Sequence, residues 1–365
     1  MSIESDLRKD GIEVVSKLNT IEVNSIANCI ANKLVSAFPE FNLKSNELFS
    51  RLSKINMYKA KIPDGMAEAN YFYKNSSIYF NVNLSFEDLE EFAVHECIHH
   101  LQEVKDNKNH LLKMGLCDLT EFKIYGMGLN EAAVQLMTSK AMGTEKEDVK
   151  YFGINFVTDS PNCYPLECTL AKQMAYITGE YALYESALFA TDSFKNKFIQ
   201  ATSKETFIAI ENAIDDIINA EEAIIKINNK IQTIEDRNKK VDHLVNKINT
   251  LKNKIAVTFM RTQNLIISSY FDREFNKIST IEQIEDYRKE LYNFQKFIGI
   301  SDDYVFFNNY YIEKMAALDH KYNVIENGGI ETAVIEQKAP NKLILIFRAI
   351  KSILFNSAQD TQVRI

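Results

Sequence analysis

The sequence predicts a mainly α fold of α+β character, in which a small β-sheet precedes a long helical hairpin and further C-terminal helices. Three observations predict it. No proline occurs between Pro165 and Pro340 and no glycine between Gly179 and Gly299, so nothing in the centre of the chain breaks a helix. From Ile210 onward the apolar residues recur in heptads. Before Gly179 turn-forming residues are denser, and SSIYFNVNLS (Ser76 to Ser85) alternates apolar and polar side chains as a strand does.

Composition bounds the rest. At 365 residues the chain exceeds the size at which one core usually stops growing, so more than one structural unit is expected. Hydrophobic residues at 46% and charged residues at 25% are ordinary globular usage, which argues against a disordered chain and against a membrane protein. A net charge of -8 argues against a general nucleic-acid binder. The opening MSIESDLRKDGIEVV mixes both charge signs and lacks the apolar segment of a secretory signal, so the expected location is the cytoplasm. Five cysteines without CxxC spacing are expected as reduced, buried thiols rather than a zinc ribbon.

Taken in order, MAEANYFY and the following SSIYFNVNLS form a hairpin through KNSS, with Ile78, Phe80, Val82 and Leu84 on one face. Ser85, followed three residues later by Asp88, caps a helix that turns Phe86, Leu89, Ala93, Cys97 and Leu101 to a core. In YGMGLNEAAVQLMTSKAM, glycines 126 and 128 permit a turn, and Asn130 is placed to cap a second helix with Glu131 in its first turn.

One heptad register comprises Ile210, Ile217, Ile224, Ile231, Asn238 and Val245. A second comprises Ala213, Ala220, Ile227, Ile234, Val241, Ile248 and Ile255, so a coiled coil is expected across the region. STIEQIEDYRKELYNFQKFIG carries a capping pair, Ser279 and Glu282, and a stripe of Ile281, Ile284, Tyr287, Leu291, Phe294 and Ile298. That stripe could lie antiparallel on the first helix; dimerisation, or a partner protein on the same seam, is the other use. LILIFRAIKSILF (Leu343 to Phe355) is too short to span a bilayer and reads as a docked amphipathic helix.

The sharpest chemistry lies in HECIH, residues 95 to 99. His95 and His99 stand four apart, so on a helix their imidazoles project from one face and can share a metal ion. Glu96 is placed to take a proton from a water activated by that metal. A third protein ligand is needed; Glu131 is the candidate, with Glu103 and Glu121 as alternatives. Gln135, one turn beyond Glu131, can hydrogen-bond a ligand histidine such as His95. The other reading of HECIH is an exposed helix face with two surface histidines. His100, His110, His243 and His320 carry no metal spacing and are expected as ordinary polar or surface residues.

HECIH followed by GLNEAAVQ resembles the gluzincin class of zinc metallopeptidases, in which HExxH on one helix is completed by a glutamate, often within Asn-Glu, on the next. The resemblance covers roughly residues 66 to 142. It implies a zincin-like domain binding Zn2+ through His95, His99 and Glu131, with Glu96 as general base. Asn130 and Gln135 as supporting residues are read from this sequence itself, and Gln135 stands where the family commonly has an acidic residue. It also implies that the strand SSIYFNVNL binds extended substrate. The metzincin continuation is absent, since Gln102 and Lys105 stand where its glycine and third histidine would be. A donor for the oxyanion is also expected; Tyr164, Tyr176, Tyr181 and Tyr184 are available for it, a core or surface role being the other reading of each.

The expected organisation is therefore a zincin-like metallopeptidase domain over 1–200, a helical coiled-coil hairpin over 201–300 and a C-terminal helical segment over 301–365. The expected function is hydrolysis of a peptide or protein substrate. The alternative is an interaction protein whose hairpin binds a partner and whose zincin-like part is a scaffold. Glu96 favours the first, because a structural zinc site needs no carboxylate there, and the long hairpin favours the second.

Overall fold

A computed structural model describes residue 7 and residues 11–63, 66–108, 110–119, 124–234, 239–298 and 305–328. It is mostly helical with a small mixed sheet. The sheet contains β1 (Glu13–Lys17), β2 (Asn56–Lys61), β3 (Ala69–Phe72) and β4 (Ser77–Asn81) in the order β1-β2-β4-β3. Strands β2 and β4 run parallel, and β3 closes the expected hairpin with β4, Tyr71 opposite Ile78.

The strand β4 is not half-exposed as its alternation predicts. Ser77, Ile78, Tyr79 and Phe80 are all buried, because Ile78 and Phe80 face the main core and Tyr79 faces a small cluster with Ile12, Ala60 and Ile62. The strand ends at Asn81, so Val82 and Leu84 belong to the turn. The edge strands of the sheet are β1 and β3.

Two helices, α1 (Thr20–Ala37) and α2 (Ser45–Leu52), pack on each other and on the helix that follows the sheet. Asn19 caps α1 in a reciprocal box with Glu22, and Ile26, Ile30 and Leu34 follow at helical spacing into the core. Helix α3 (Phe86–Leu101) starts at the expected cap: Asp88 N–H donates to Ser85 Oγ at 3.2 Å and Ser85 N–H to Asp88 Oδ2 at 3.1 Å. Two short ribbons, β5 (Glu103–Lys105) with β6 (Leu111–Met114) and β7 (Asp118–Leu119) with β8 (Ile124–Tyr125), lead into α4 (Met127–Met142). The pair β9 (Glu147–Tyr151) and β10 (Ile154–Thr158) precedes α5 (Pro165–Thr178), α6 (Glu180–Phe189) and α7 (Ser193–Ala201).

The heptad region is two helices, α8 (Lys204–Gln232) and α9 (Lys239–Lys277), folded back on each other. Asp216 meets Lys254 at 3.9 Å, at nearly equal sequence distance from the connection, as antiparallel packing requires. Ile210, Ile217, Ile224 and Ile227 of α8 are buried, as are Ile248 and Ile255 of α9, whereas Val245 is exposed. Ile214 takes the core position and Ala213 is only half-buried, because α8 is a core helix as well as half of a hairpin. The polar seam position Asn238 and the expected helix at Leu343–Phe355 lie outside the described residues.

Helix α10 (Ile281–Ile298) does not lie on α8, whose apolar face α9 and the core already occupy. It packs on α5 and the end of α9: Tyr287 hydroxyl donates to Phe271 carbonyl and Tyr176 hydroxyl to Glu290 carbonyl, each at 3.1 Å. Its buried stripe is Ile284, Tyr287, Leu291, Phe294 and Ile298, while Ile281 is 37% exposed. The capping pair is Thr280 with Gln283, one residue beyond the expected Ser279 with Glu282: Gln283 Oε1 accepts from the N–H groups of Ser279 and Thr280, and Gln283 N–H donates to Thr280 Oγ1. Helix α11 (Val305–Glu326) follows.

One continuous core runs from Leu18 to Leu318. Of the cysteines, Cys97, Cys117 and Cys168 are buried as expected and Cys29 is half-buried, but Cys163 is exposed. Among the described residues no helix is long and apolar enough to cross a membrane.

The core also holds a carboxyl pair, Glu167 of α5 against Glu221 of α8. Burial raises both, Glu221 to about 7, and the Glu221 charge adds to the rise at Glu167. Folded values above the ordinary carboxylate range mean that the folded state binds more protons than the unfolded one. Stability from this pair therefore falls as pH rises from about 4.5 through about 7. Glu167→Gln is expected to flatten that slope and to gain on the order of 2 kcal/mol at pH 8. Denaturant unfolding at pH 5.5 and pH 8 reads it, and an unchanged slope in the variant would reject the raised Glu167 carboxyl as its source.

Candidate metal centre

Helices α3 and α4 cross where HECIH faces Glu131. The start of α4 is set by glycine. Gly126 takes a left-handed conformation, φ 73°, and a Cβ on Gly128 would stand 2.9 Å from Ile214 Cγ2 and 3.1 Å from the Ile214 backbone. The close approach brings Asp215 of α8 over the helix end, where its carboxylate accepts from Gly126 N–H at 3.0 Å and Gly128 N–H at 2.8 Å. Asp215 is thus the cap that the sequence assigned to Asn130. Because α4 begins at Met127, Glu131 stands one turn further in than expected.

Asn130 is fully buried and does other work. The Leu116 backbone N–H, which can only donate, gives 3.0 Å to Asn130 Oδ1, and this fixes the amide orientation. Gln102 Nε2 donates to the same oxygen at 3.1 Å, and Asn130 Nδ2 donates to Gln102 Oε1 at 3.3 Å. Gln102 Oε1 in turn faces His99 Nδ1 at 3.3 Å, so His99 carries its proton on Nδ1 and presents an Nε2 lone pair. On the other histidine Gln135 Oε1 stands 2.9 Å from His95 Nδ1 and leaves His95 Nε2 as an acceptor.

Both Nε2 atoms then point at one place. They lie 3.0 Å apart, and Glu131 Oε2 is 3.2 Å from His95 Nε2 and 3.4 Å from His99 Nε2. Three such acceptor atoms repel one another unless a proton or a metal ion sits among them. His95, His99 and Glu131 thus form a cluster that can hold a metal ion, their ligand atoms all within 4.8 Å of one another. Burial pulls the His99 imidazole down, but the Glu131 carboxylate pulls it up further, to about 9, so a metal and a proton compete for Nε2. Burial would raise Glu131, yet the two histidines hold it well below the ordinary range.

The other carboxylate candidates do not join the cluster. Glu103 is spent on Lys105 at 2.6 Å and lies 3.8 Å from His100, and Glu121 is outside the described residues. His100 is not exposed either: it is half-buried, 3.0 Å from the Tyr71 hydroxyl, and held down to about 4 by burial and then by Arg51 and Lys105. His110, His243 and His320 are exposed, as expected.

Glu96 is 8% exposed and lines the same cleft, of about 680 Å³, as the three ligand residues. Burial raises its carboxyl, the two histidines pull it back, and the Tyr71 backbone N–H of β3 bonds it. The edge strand β3 lines one wall through Ala69, Asn70 and Tyr71, a place that the resemblance assigns to SSIYFNVNL, whose strand β4 is buried. Of the four tyrosines, only Tyr164 reaches the cleft. Its ring stacks on His95 at 6.1 Å between centroids, and its backbone is left-handed, φ 50°. The Glu131 charge and then burial raise its phenol, which keeps it a neutral donor. Tyr176 bonds Glu290, Tyr184 packs edge-on to Phe38, and Tyr181 packs on Phe41. Sequence reading missed Gln102 and Asp215. A polar residue three past the second histidine is a signal for the first; no local signal marks the second.

No family model, curated protein or solved structure matches this chain, so the reading of the cluster rests on its own geometry.

Proposed function

We propose that this chain is a zinc-dependent metallopeptidase of gluzincin type. The observation that carries the proposal is the convergence of His95, His99 and Glu131 beside a buried Glu96 on the wall of a cleft. Two imidazoles and one carboxylate are a donor set typical of catalytic zinc, which keeps a fourth position open. Ligands about 2.0–2.1 Å from a tetrahedral ion stand about 3.3–3.4 Å apart, close to the spacing of these three atoms.

Zinc bound there would supply Lewis acidity to the scissile carbonyl and lower the pKa of a water to about 7. Glu96 takes the proton of the attacking water and passes it to the leaving amine, a task that a carboxyl raised by burial performs near neutral pH. Tyr164, held neutral beside His95, donates to the developing oxyanion. The β3 edge suits an extended peptide, which can add to a sheet edge through backbone hydrogen bonds. Gln102 and Gln135 hold the tautomers that let both histidines bind metal.

The test is cleavage of a mixed peptide pool by the zinc-loaded protein, with new termini identified by mass spectrometry. Tyr164→Phe is expected to lower kcat by about 10²-fold with KM little changed. A zinc-loaded protein that cuts no peptide would end this reading.

A further inference from the structure

The cleft is one-sided in charge. Among the described residues that line it there is no lysine and no arginine. A divalent ion at the centre is balanced by Glu131 and Glu96 together. Two carboxylates are then left over, Glu68 just before β3 and Glu222 on α8. Glu222 reaches Lys226 at 3.0 Å, but that pair is exposed on both sides, and such pairs contribute little and exchange readily for another cation. Glu68 has no cation among the described ion pairs. Four methionines, Met66, Met114, Met127 and Met142, line the apolar part of the wall beside Phe92, Ile124 and Ile218. Unbranched thioether side chains adapt to bulky apolar groups of differing shape.

We infer that the cleft takes a peptide segment that brings a cation beside a bulky apolar side chain, and rejects one that brings a carboxylate there. A basic side chain or a chain-start ammonium can meet Glu68 or Glu222. An acidic side chain or a free C-terminal carboxylate meets like charge and no basic partner. The chemistry thus favours cutting within a chain or near its start over removal of C-terminal residues. This inference rests on the peptidase reading, since it assigns a substrate to the same site.

Binding to the zinc-loaded Glu96→Gln protein, which should hold peptide without cutting it, separates the two. Four peptides share one apolar frame: doubly capped with lysines, doubly capped with glutamates, uncapped at the amine only, and uncapped at the carboxylate only. The lysine peptide is expected to bind about tenfold tighter than the glutamate peptide, since opposite charges a few ångströms apart in a partly wet cleft are worth about that much. The free-amine peptide is expected to bind better than the free-carboxylate one. Glu68→Lys with Glu222→Lys should reverse both orders, and Glu222→Lys alone, at an exposed position, should narrow them. Equal binding of all four, or an order that charge reversal leaves unchanged, overturns the inference and leaves the peptidase reading standing. Failure of every peptide to bind overturns both.

Discussion

Glu96→Gln is expected to lower peptide hydrolysis by about 10³-fold while zinc content stays that of the unmutated protein. The amide has nearly the shape of the carboxylate but cannot take a proton. The same substitution reads the electrostatics of the site. Burial raises the Glu96 carboxyl above its ordinary 4.5, so the acid limb of the pH–rate profile should lie above pH 4.5. A raised carboxyl is also an ionised group that folding disfavours, so near neutral pH it costs stability that the glutamine does not. Glu96→Gln should therefore be at least as stable as the unmutated protein at pH 7. Retained activity in this variant would remove Glu96 from the chemistry, whatever the metal does.

The second large effect is expected away from the reacting atoms. Asn130→Leu leaves the Leu116 N–H without its acceptor and the Gln102 amide with neither of its Asn130 bonds, all in a buried setting. Unsatisfied buried groups of this kind cost about 1–3 kcal/mol each, so a loss of about 3 kcal/mol or more is expected in denaturant unfolding. Once Gln102 is free to turn, nothing holds the proton of His99 on Nδ1. Zinc affinity should fall by about 10- to 100-fold, read by competition with a chelator. Gly115→Ala should act in the same direction. The residue is left-handed, φ 52°, and a methyl group there would run into Asn130 Oδ1 and Gln102 Nε2. Zinc binding in Asn130→Leu as tight as in the unmutated protein would break the link between the amide pair and His99.

These two residues also mark what the sequence could reveal. Glu96 was legible because its neighbours are local: His95 and His99 share a helix face by periodicity, and Ser85 and Asp88 start that helix where the cap pattern says. Glu131 and Gln135 could be paired with the histidines because they too stand four apart on one helix, and both meet their partners. The hydrogen bonds of Asn130 were not legible, because its partners come from the turn at Gly115 and Leu116 and from the end of α3. Asp215 was hidden for the same reason: it lies 87 residues from the Gly128 N–H that it caps. The heptads of α8 and α9 show the converse. Their apolar period was plain, but period alone does not say that Gln232 ends a helix, or that the face of α8 next to α9 also meets α4. Tyr164 could not be told from Tyr176, Tyr181 and Tyr184 by sequence, since only the turn before α5 decides which ring faces His95.

The central claim is that His95, His99 and Glu131 hold one metal ion, and metal content measures it most directly. Elemental analysis of the purified protein after reconstitution should find about one zinc per chain, retained in Glu96→Gln and lost in both His95→Ala and Glu131→Ala. No zinc in the unmutated protein, or full zinc content in both ligand variants, would contradict the account.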